Sequence, residues 1–142
     1  MLFSTKLVDE VWDHLSDLKI KSTELTNEKD VENIIADSLR SEFEDVQQQF
    51  HVGGYLGLKV DIDIKEEVGI ELKLAKDLDT ADKIHRLFGQ AIYYDNRKYV
   101  GNLIVLIAGT KSERDSPMLK EVMNFLEDIK IPSLFLKTKG KA

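Results

Sequence analysis

Residues Lys59 to Lys76, KVDIDIKEEVGIELKLAK, alternate apolar and polar side chains twice in succession. Val60, Ile62 and Ile64 alternate with Lys59, Asp61, Asp63 and Lys65. After a short polar break, Val68, Ile70, Leu72 and Leu74 alternate with Gly69, Glu71, Lys73 and Ala75. A period of two is that of a half-buried strand, because successive side chains leave a pleated chain on opposite sides. Two such runs, a few residues apart, predict an antiparallel hairpin. No other stretch limits the fold as much. Whatever surrounds this hairpin must cover one face of a sheet and gather Asp61, Asp63, Glu71 and Lys73 on the other.

Opposed residues in an antiparallel pair point to the same face, so the connecting loop must have an odd length, most simply Glu66-Glu67-Val68. That register sets Asp63 opposite Glu71 and Asp61 opposite Lys73. Asp61 and Glu71 are then diagonal neighbours, about 7–8 Å apart at Cα. Two carboxylate side chains at that spacing can converge on one cation. Three acids beside one lysine repel each other unless a divalent ion, or in part Lys73, neutralises them. A solvated sheet face of mixed charge is the other reading of the same residues.

The chain has 142 residues and 42% hydrophobic content, which suits one domain, 1–142, with a real core. It has no apolar run near the length that spans a membrane and no signal-peptide pattern at its start, so no membrane partner is expected. Cysteine is absent, which excludes disulfides and thiolate metal sites and is compatible with a cytoplasmic location. Three scattered histidines, His14, His51 and His85, do not suit zinc. Any metal would be oxygen-ligated, such as Mg²⁺ or Mn²⁺. The formal net charge of −6 argues against strong non-specific nucleic-acid binding. It leaves room for a local basic stripe, or for a metal that bridges protein acids to phosphate.

Residues 5–20 carry Leu7, Val8, Val11, Trp12, Leu15 and Leu18 at helical spacing, with Trp12 as a packing residue, and residues 21–27 form a linker. A second helix is expected over 28–43, capped by Thr26 or Asn27, with Val31, Ile34, Ile35, Leu39 and Phe43 buried. Glu28 and Glu32 flank that stripe and can approach the sheet, or serve as favourable acids in the first turns. A strand over 46–52 and a turn at Gly53-Gly54 lead into the hairpin. A third helix over 80–96 buries Ile84, Leu87, Phe88, Ala91 and Ile92. One flank of it carries Lys83, Arg86, Gln90, Tyr94 and Arg97 as a polar and basic stripe, which is either a solvated face or a phosphate-contacting one. Residues 102–108, NLIVLIA, predict a strand covered on both faces. Ser116-Pro117 starts a last helix in N-cap and N1 order. Residues 132–136 predict a short edge strand, and 137–142 form a basic tail. The order α–α–β–β–β–α–β–α–β predicts an α/β protein with a mixed sheet flanked by helices.

An acid on one strand, E-x-K on the next, and a following helix with glutamine together resemble the PD-(D/E)xK nuclease superfamily. Here they are Asp61 in VDIDI, Glu71-Leu72-Lys73 in GIELKLA, and the helix segment RLFGQAIYY. Gln90 with Tyr94 is similar to the Q-x-x-x-Y feature of RecB-like nucleases. Glu32, followed by Ile35, Ala36 and Leu39, matches the acid of that family's first core helix. Val60 stands where the family's name has proline, and Asp63 competes with Asp61 for the acid's place. The resemblance covers about residues 28–110. It implies a restriction-endonuclease-like mixed sheet with an αβββαβ core. An accessory N-terminal helix (1–25) and a C-terminal helix and strand (115–137) lie outside that core.

The same resemblance implies metal-assisted phosphodiester hydrolysis, most simply of DNA. Asp61, Glu71 and the Leu72 carbonyl would hold Mg²⁺ or Mn²⁺, and Lys73 would orient or deprotonate the attacking water. Glu32 would support the site through a water or a second metal, with Asp63 and Glu28 as alternative acids. Gln90 would orient a water or contact the phosphate, and Lys83, Arg86, Tyr94 and Arg97 would contact the nucleic acid. The rival expectation is a nuclease-fold binding or scaffolding module with a residual site, which would dimerise or dock a partner through its first or last helix. A metal-free α/β interaction domain unrelated to nucleases is the third.

Overall fold

The structure is a computed structural model that describes residues 6–53 and 57–139. The elements in chain order are α1 (Leu7–Asp17), α2 (Glu28–Arg40), β1 (Val46–His51), β2 (Lys59–Ile64), β3 (Val68–Leu74), α3 (Ala81–Arg97), β4 (Leu103–Gly109), α4 (Lys111–Arg114), α5 (Pro117–Asp128) and β5 (Ser133–Lys137). Single 3₁₀ turns occur at Ser22–Glu24, inside the expected linker, and at Ala75–Asp77. The expected caps form. Asn27 Oδ1 accepts the Asp30 N–H, and Ser116 with Pro117 opens α5; α3 is capped in addition by Thr80. Helix α2 stops at Arg40, three residues short of expectation, although Phe43 still packs on the core. The turn expected at Gly53-Gly54 lies partly outside the described residues, as do the first turn of the first helix and the end of the basic tail.

The five strands form one mixed sheet in the order β1-β2-β3-β4-β5. The first two pairings are antiparallel and the last two parallel, with α3 and α5 as the crossovers. This is an α/β architecture with an open sheet. Helices α1 and α2 cover one face, where Ile62, Ile64, Ile70, Leu72, Leu74, Ile104 and Leu106 are buried with Val11, Leu15, Ile35 and Leu39. Helices α3 and α5 cover the other, over Leu103, Val105 and Ile107 with Leu87, Ala91, Val122 and Leu126. Strand β4 is buried on both faces, as its unbroken apolar run requires. Strand β5 is an edge, as expected. No helix among the described residues is long and apolar enough to cross a membrane.

The hairpin loop is odd, as parity demands, but it is Lys65-Glu66-Glu67, and the register is Ile62↔Ile70, Asp63↔Gly69, Ile64↔Val68. The expected pairings of Asp63 with Glu71 and Asp61 with Lys73 are therefore displaced by two residues. From Ile62 through β3 the apolar side chains keep their expected face, because a two-residue shift preserves the pleat, whereas Val60 lies on the other. Local turn chemistry decides the position. Lys65 and Glu66 adopt positive φ, and Asp63 Oδ1 accepts the Glu66 N–H at 2.9 Å. The other oxygen of Asp63 accepts the buried Tyr99 hydroxyl at 2.5 Å.

Tyr99 lies across Gly69, the partner of Asp63. A Cβ at Gly69 would meet the Tyr99 ring carbons at 2.7–2.9 Å. The ring is fully buried and has nowhere to go. Gly69→Ala is therefore expected to destabilise the fold by about 1–3 kcal/mol through overpacking, read as a lower denaturant midpoint at unchanged m-value. An unchanged midpoint would mean that this contact does not pin the hairpin.

Candidate functional site

The β1–β2 ladder pairs Gln48 with Ile62 and Phe50 with Val60 but skips Gln49 and Asp61, and the β2–β3 ladder ends at Ile62↔Ile70. Asp61 thus sits at a one-pair gap in the β1–β2 ladder, just where β2 parts from β3. Val60 packs in the core beneath α3, whereas Ile62 and Ile64 pack beneath α1 and α2. Residues two apart in a regular strand share a face, so β2 changes face at Asp61. Strand β1 does the same at Gln49, a non-glycine residue with φ of 52° inside a strand.

Into the fork between β2 and β3 the Leu72 N–H donates to Asp61 Oδ2 at 2.7 Å. In an extended residue N–H and C=O point the same way, so the Leu72 carbonyl faces the same gap. Glu71 is buried, with 3% exposure, beside Asp61 at 8%. Lys73 Nζ lies 3.6 Å from Glu71 Oε2 and 3.9 Å from Glu28 Oε1, so the first turn of α2 closes over the end of β3. Lys76 fastens that closure by donating to the carbonyls of Leu25 and Thr26.

The electrostatics of the site are unfavourable on their own. Burial pushes the Glu71 carboxyl well above the usual carboxylate range. The Asp61 charge adds to the rise, while Lys73 opposes it. Burial also raises Asp61, against the bonds from Leu72 and Gln49 and the charge of Lys73. Glu28 is raised mainly by burial, with Lys73 again opposing. Among the described residues, two buried side-chain polar atoms have no hydrogen-bond partner, Glu71 Oε1 and Gln90 Oε1. Both are acceptors. A buried acceptor without a donor is costly.

Helix α3 contributes to the same side. Tyr94, one turn after Gln90, is buried and donates to the Lys59 carbonyl at 2.9 Å. Its hydroxyl pKa is raised by burial first and then by the charges of Glu71 and Asp61. Tyr94 therefore does not belong to an exposed contact stripe, a correction that follows from its position on the helix flank turned to the sheet. Lys83, Arg86 and Arg97 are exposed, and Lys83 pairs with Asp79 at 3.0 Å.

Glu32 is 1% exposed and its carboxylate is fully engaged. Oε1 accepts Gln49 Nε2 at 2.7 Å, and Oε2 accepts Gln48 Nε2 at 2.6 Å and Lys29 Nζ at 3.1 Å. Gln49 Nε2 also reaches Asp61 Oδ1 at 3.1 Å. Sequence reasoning missed both glutamines. The available signal was the polar run Gln47-Gln48-Gln49, unusual in a strand next to an acidic hairpin. Asp63 is held by Tyr99 and the hairpin turn, so of the two candidate acids in VDIDI it is Asp61 that the fold sets beside Glu71.

Among the described residues no group of three or more Asp, Glu, His or Cys side chains is arranged to hold a metal ion. A cation here would rest on the carboxylates of Asp61 and Glu71 and on the Leu72 carbonyl, and would complete its shell with water or substrate oxygens. Mg²⁺ is commonly held in that way, by one or two carboxylates plus phosphate. The chain matches no family model, no curated protein and no solved structure.

Proposed function

We propose that the chain is a Mg²⁺- or Mn²⁺-dependent nuclease of the PD-(D/E)xK kind, with a restriction-endonuclease-like core, that hydrolyses phosphodiester bonds of DNA. The observation that carries the reading is the unpartnered, buried Glu71 Oε1 beside Asp61, with Lys73 within 4 Å of Glu71. Bound there, the metal would act as a Lewis acid and lower the pKa of a coordinated water. The residues do the rest. Asp61 and Glu71 supply hard oxygen donors, and Lys73 keeps a positive charge and a proton donor at the reacting phosphate. Gln90 Oε1 is free to accept from a water at the site. Lys83, Arg86 and Arg97 offer contacts to the phosphate backbone.

The test is a titration of Mg²⁺ and Mn²⁺ into the full chain, following melting temperature and cleavage of single-stranded, duplex and branched DNA. Metal-dependent cleavage that EDTA abolishes is the expected result, with a melting point that rises with metal concentration. No metal response in the folded protein would reject the reading.

A second reading is a nuclease-fold binding module, which would dock a protein partner or dimerise. The observations that favour it are the two-carboxylate donor set and the exposed apolar side chains Ile92, Met118 and Phe125 on α3 and α5. It predicts a stable oligomer or complex without cleavage.

A further inference from the structure

We infer that Gln49 is a positioning residue, which uses Glu32 as an anchor to hold the Asp61 carboxylate in place beside Glu71. The inference rests on the nuclease reading above. Gln49 is exposed on β1, so packing does not force its left-handed backbone. The other non-glycine residues with positive φ, Asp45, Lys65, Glu66 and Lys130, all lie in turns or connections. Gln49 alone among them interrupts a strand, a place where such a backbone is rare.

What the conformation achieves is local. It breaks the alternation of β1, so that the adjacent side chains of Gln48 and Gln49 both reach Glu32 and do not point to opposite faces. The two protons of Gln49 Nε2 then serve two buried carboxylates, Glu32 at 2.7 Å and Asp61 at 3.1 Å. Asp61 is held at both oxygens, by Gln49 on Oδ1 and by the Leu72 N–H on Oδ2. A donor on each oxygen restrains its rotation. Glu71, by contrast, keeps a free oxygen. The assembly is a rigid acid beside an available one, and Glu32 serves it by fixing the amide.

Outer partners that orient a metal-binding carboxylate commonly affect metal affinity or activity by about 10–100-fold. The experiment measures Mn²⁺ binding to the full chain by calorimetry and electron paramagnetic resonance, in wild type, Gln49→Met, Gln49→Gly and Glu71→Gln. Gln49→Met keeps the length and loses the donors. Gln49→Gly accepts the backbone freely and also loses them. Both are expected to bind Mn²⁺ about 10–100-fold more weakly while remaining folded by circular dichroism, and to lower kcat with KM for DNA unchanged. Equal losses in the two variants assign the effect to the amide and not to the backbone. Wild-type affinity in both, with Mn²⁺ binding lost in Glu71→Gln, would overturn the role of Gln49 and leave the nuclease reading standing. Absence of Mn²⁺ binding in wild type would overturn both.

Discussion

Lys73→Ala is expected to lower kcat for DNA cleavage by about 10²–10⁴-fold, the usual contribution of a positioned proton-transfer group. Its ammonium lies between Glu71 at 3.6 Å and Glu28 at 3.9 Å, and its side chain is 20% exposed. It is therefore near enough to the acids to act on a group bound by them and open enough to meet a substrate from outside. Removing it also leaves Asp61, Glu71 and Glu28 without their shared countercharge. In EDTA the variant should melt below wild type, because an acid left unpaired in a buried place is costly. Added Mg²⁺ should restore much of that difference without restoring cleavage. Lys73→Arg separates charge from proton transfer, since guanidinium stays protonated. Partial rescue assigns Lys73 an electrostatic role, and no rescue assigns it the proton. Undiminished cleavage in Lys73→Ala would remove the lysine from the mechanism.

Glu71→Gln is expected to abolish metal binding and cleavage and, in EDTA at neutral pH, to make the protein more stable. The reason is linkage. Burial and the Asp61 charge raise the folded-state pKa of Glu71 above its unfolded value. The folded state then holds the proton to higher pH than the unfolded chain does, so stability falls as pH rises between the two values. Above the folded pKa the cost is fully present. Asp61 and Glu28 shift in the same direction and add to the slope. Metal-free wild type should therefore lose stability on going from acid to neutral pH over this range, and Glu71→Gln should flatten the profile. A higher denaturant midpoint than wild type at neutral pH is the expected sign, since destabilised functional sites trade stability for activity. Chemical denaturation at several pH values in EDTA measures it. A variant less stable than wild type at neutral pH would mean that Lys73 more than offsets the burial of Glu71.

The architecture was legible because each strong signal was local and consistent with its neighbours. The double alternation of KVDIDI and VGIELKL became β2 and β3, NLIVLIA became the doubly covered β4, and Ser116-Pro117 opened α5. Asp61, Glu71 and Lys73 were brought together even though the expected register was off by two residues, because parity and not register decides the face. Glu28 and Glu32 both reached the site from α2, but in different roles. Glu28 approaches Lys73, while Glu32 is consumed by Gln48, Gln49 and Lys29. Tyr94 was misplaced because helical spacing puts it on the same flank as Arg86 and Arg97. Only the approach of α3 to the sheet turns that part of the flank inward.

Periodicity, caps and apolar runs act over a few residues, so the elements and the available acids were legible in the pattern, whereas the change of face at Gln49 and Asp61 was not. The tertiary structure decided which acid is which. Asp61 and Asp63 are equivalent in the pattern VDIDI. Asp63 is claimed by Tyr99, 36 positions away, and by the Glu66 N–H. Asp61 is released from both ladders and held by Gln49 and Leu72. The burial that raises Glu71 and the missing partner of its Oε1 are properties of packed neighbours. They arise when separate segments exclude water from the same small volume, and no local pattern encodes that.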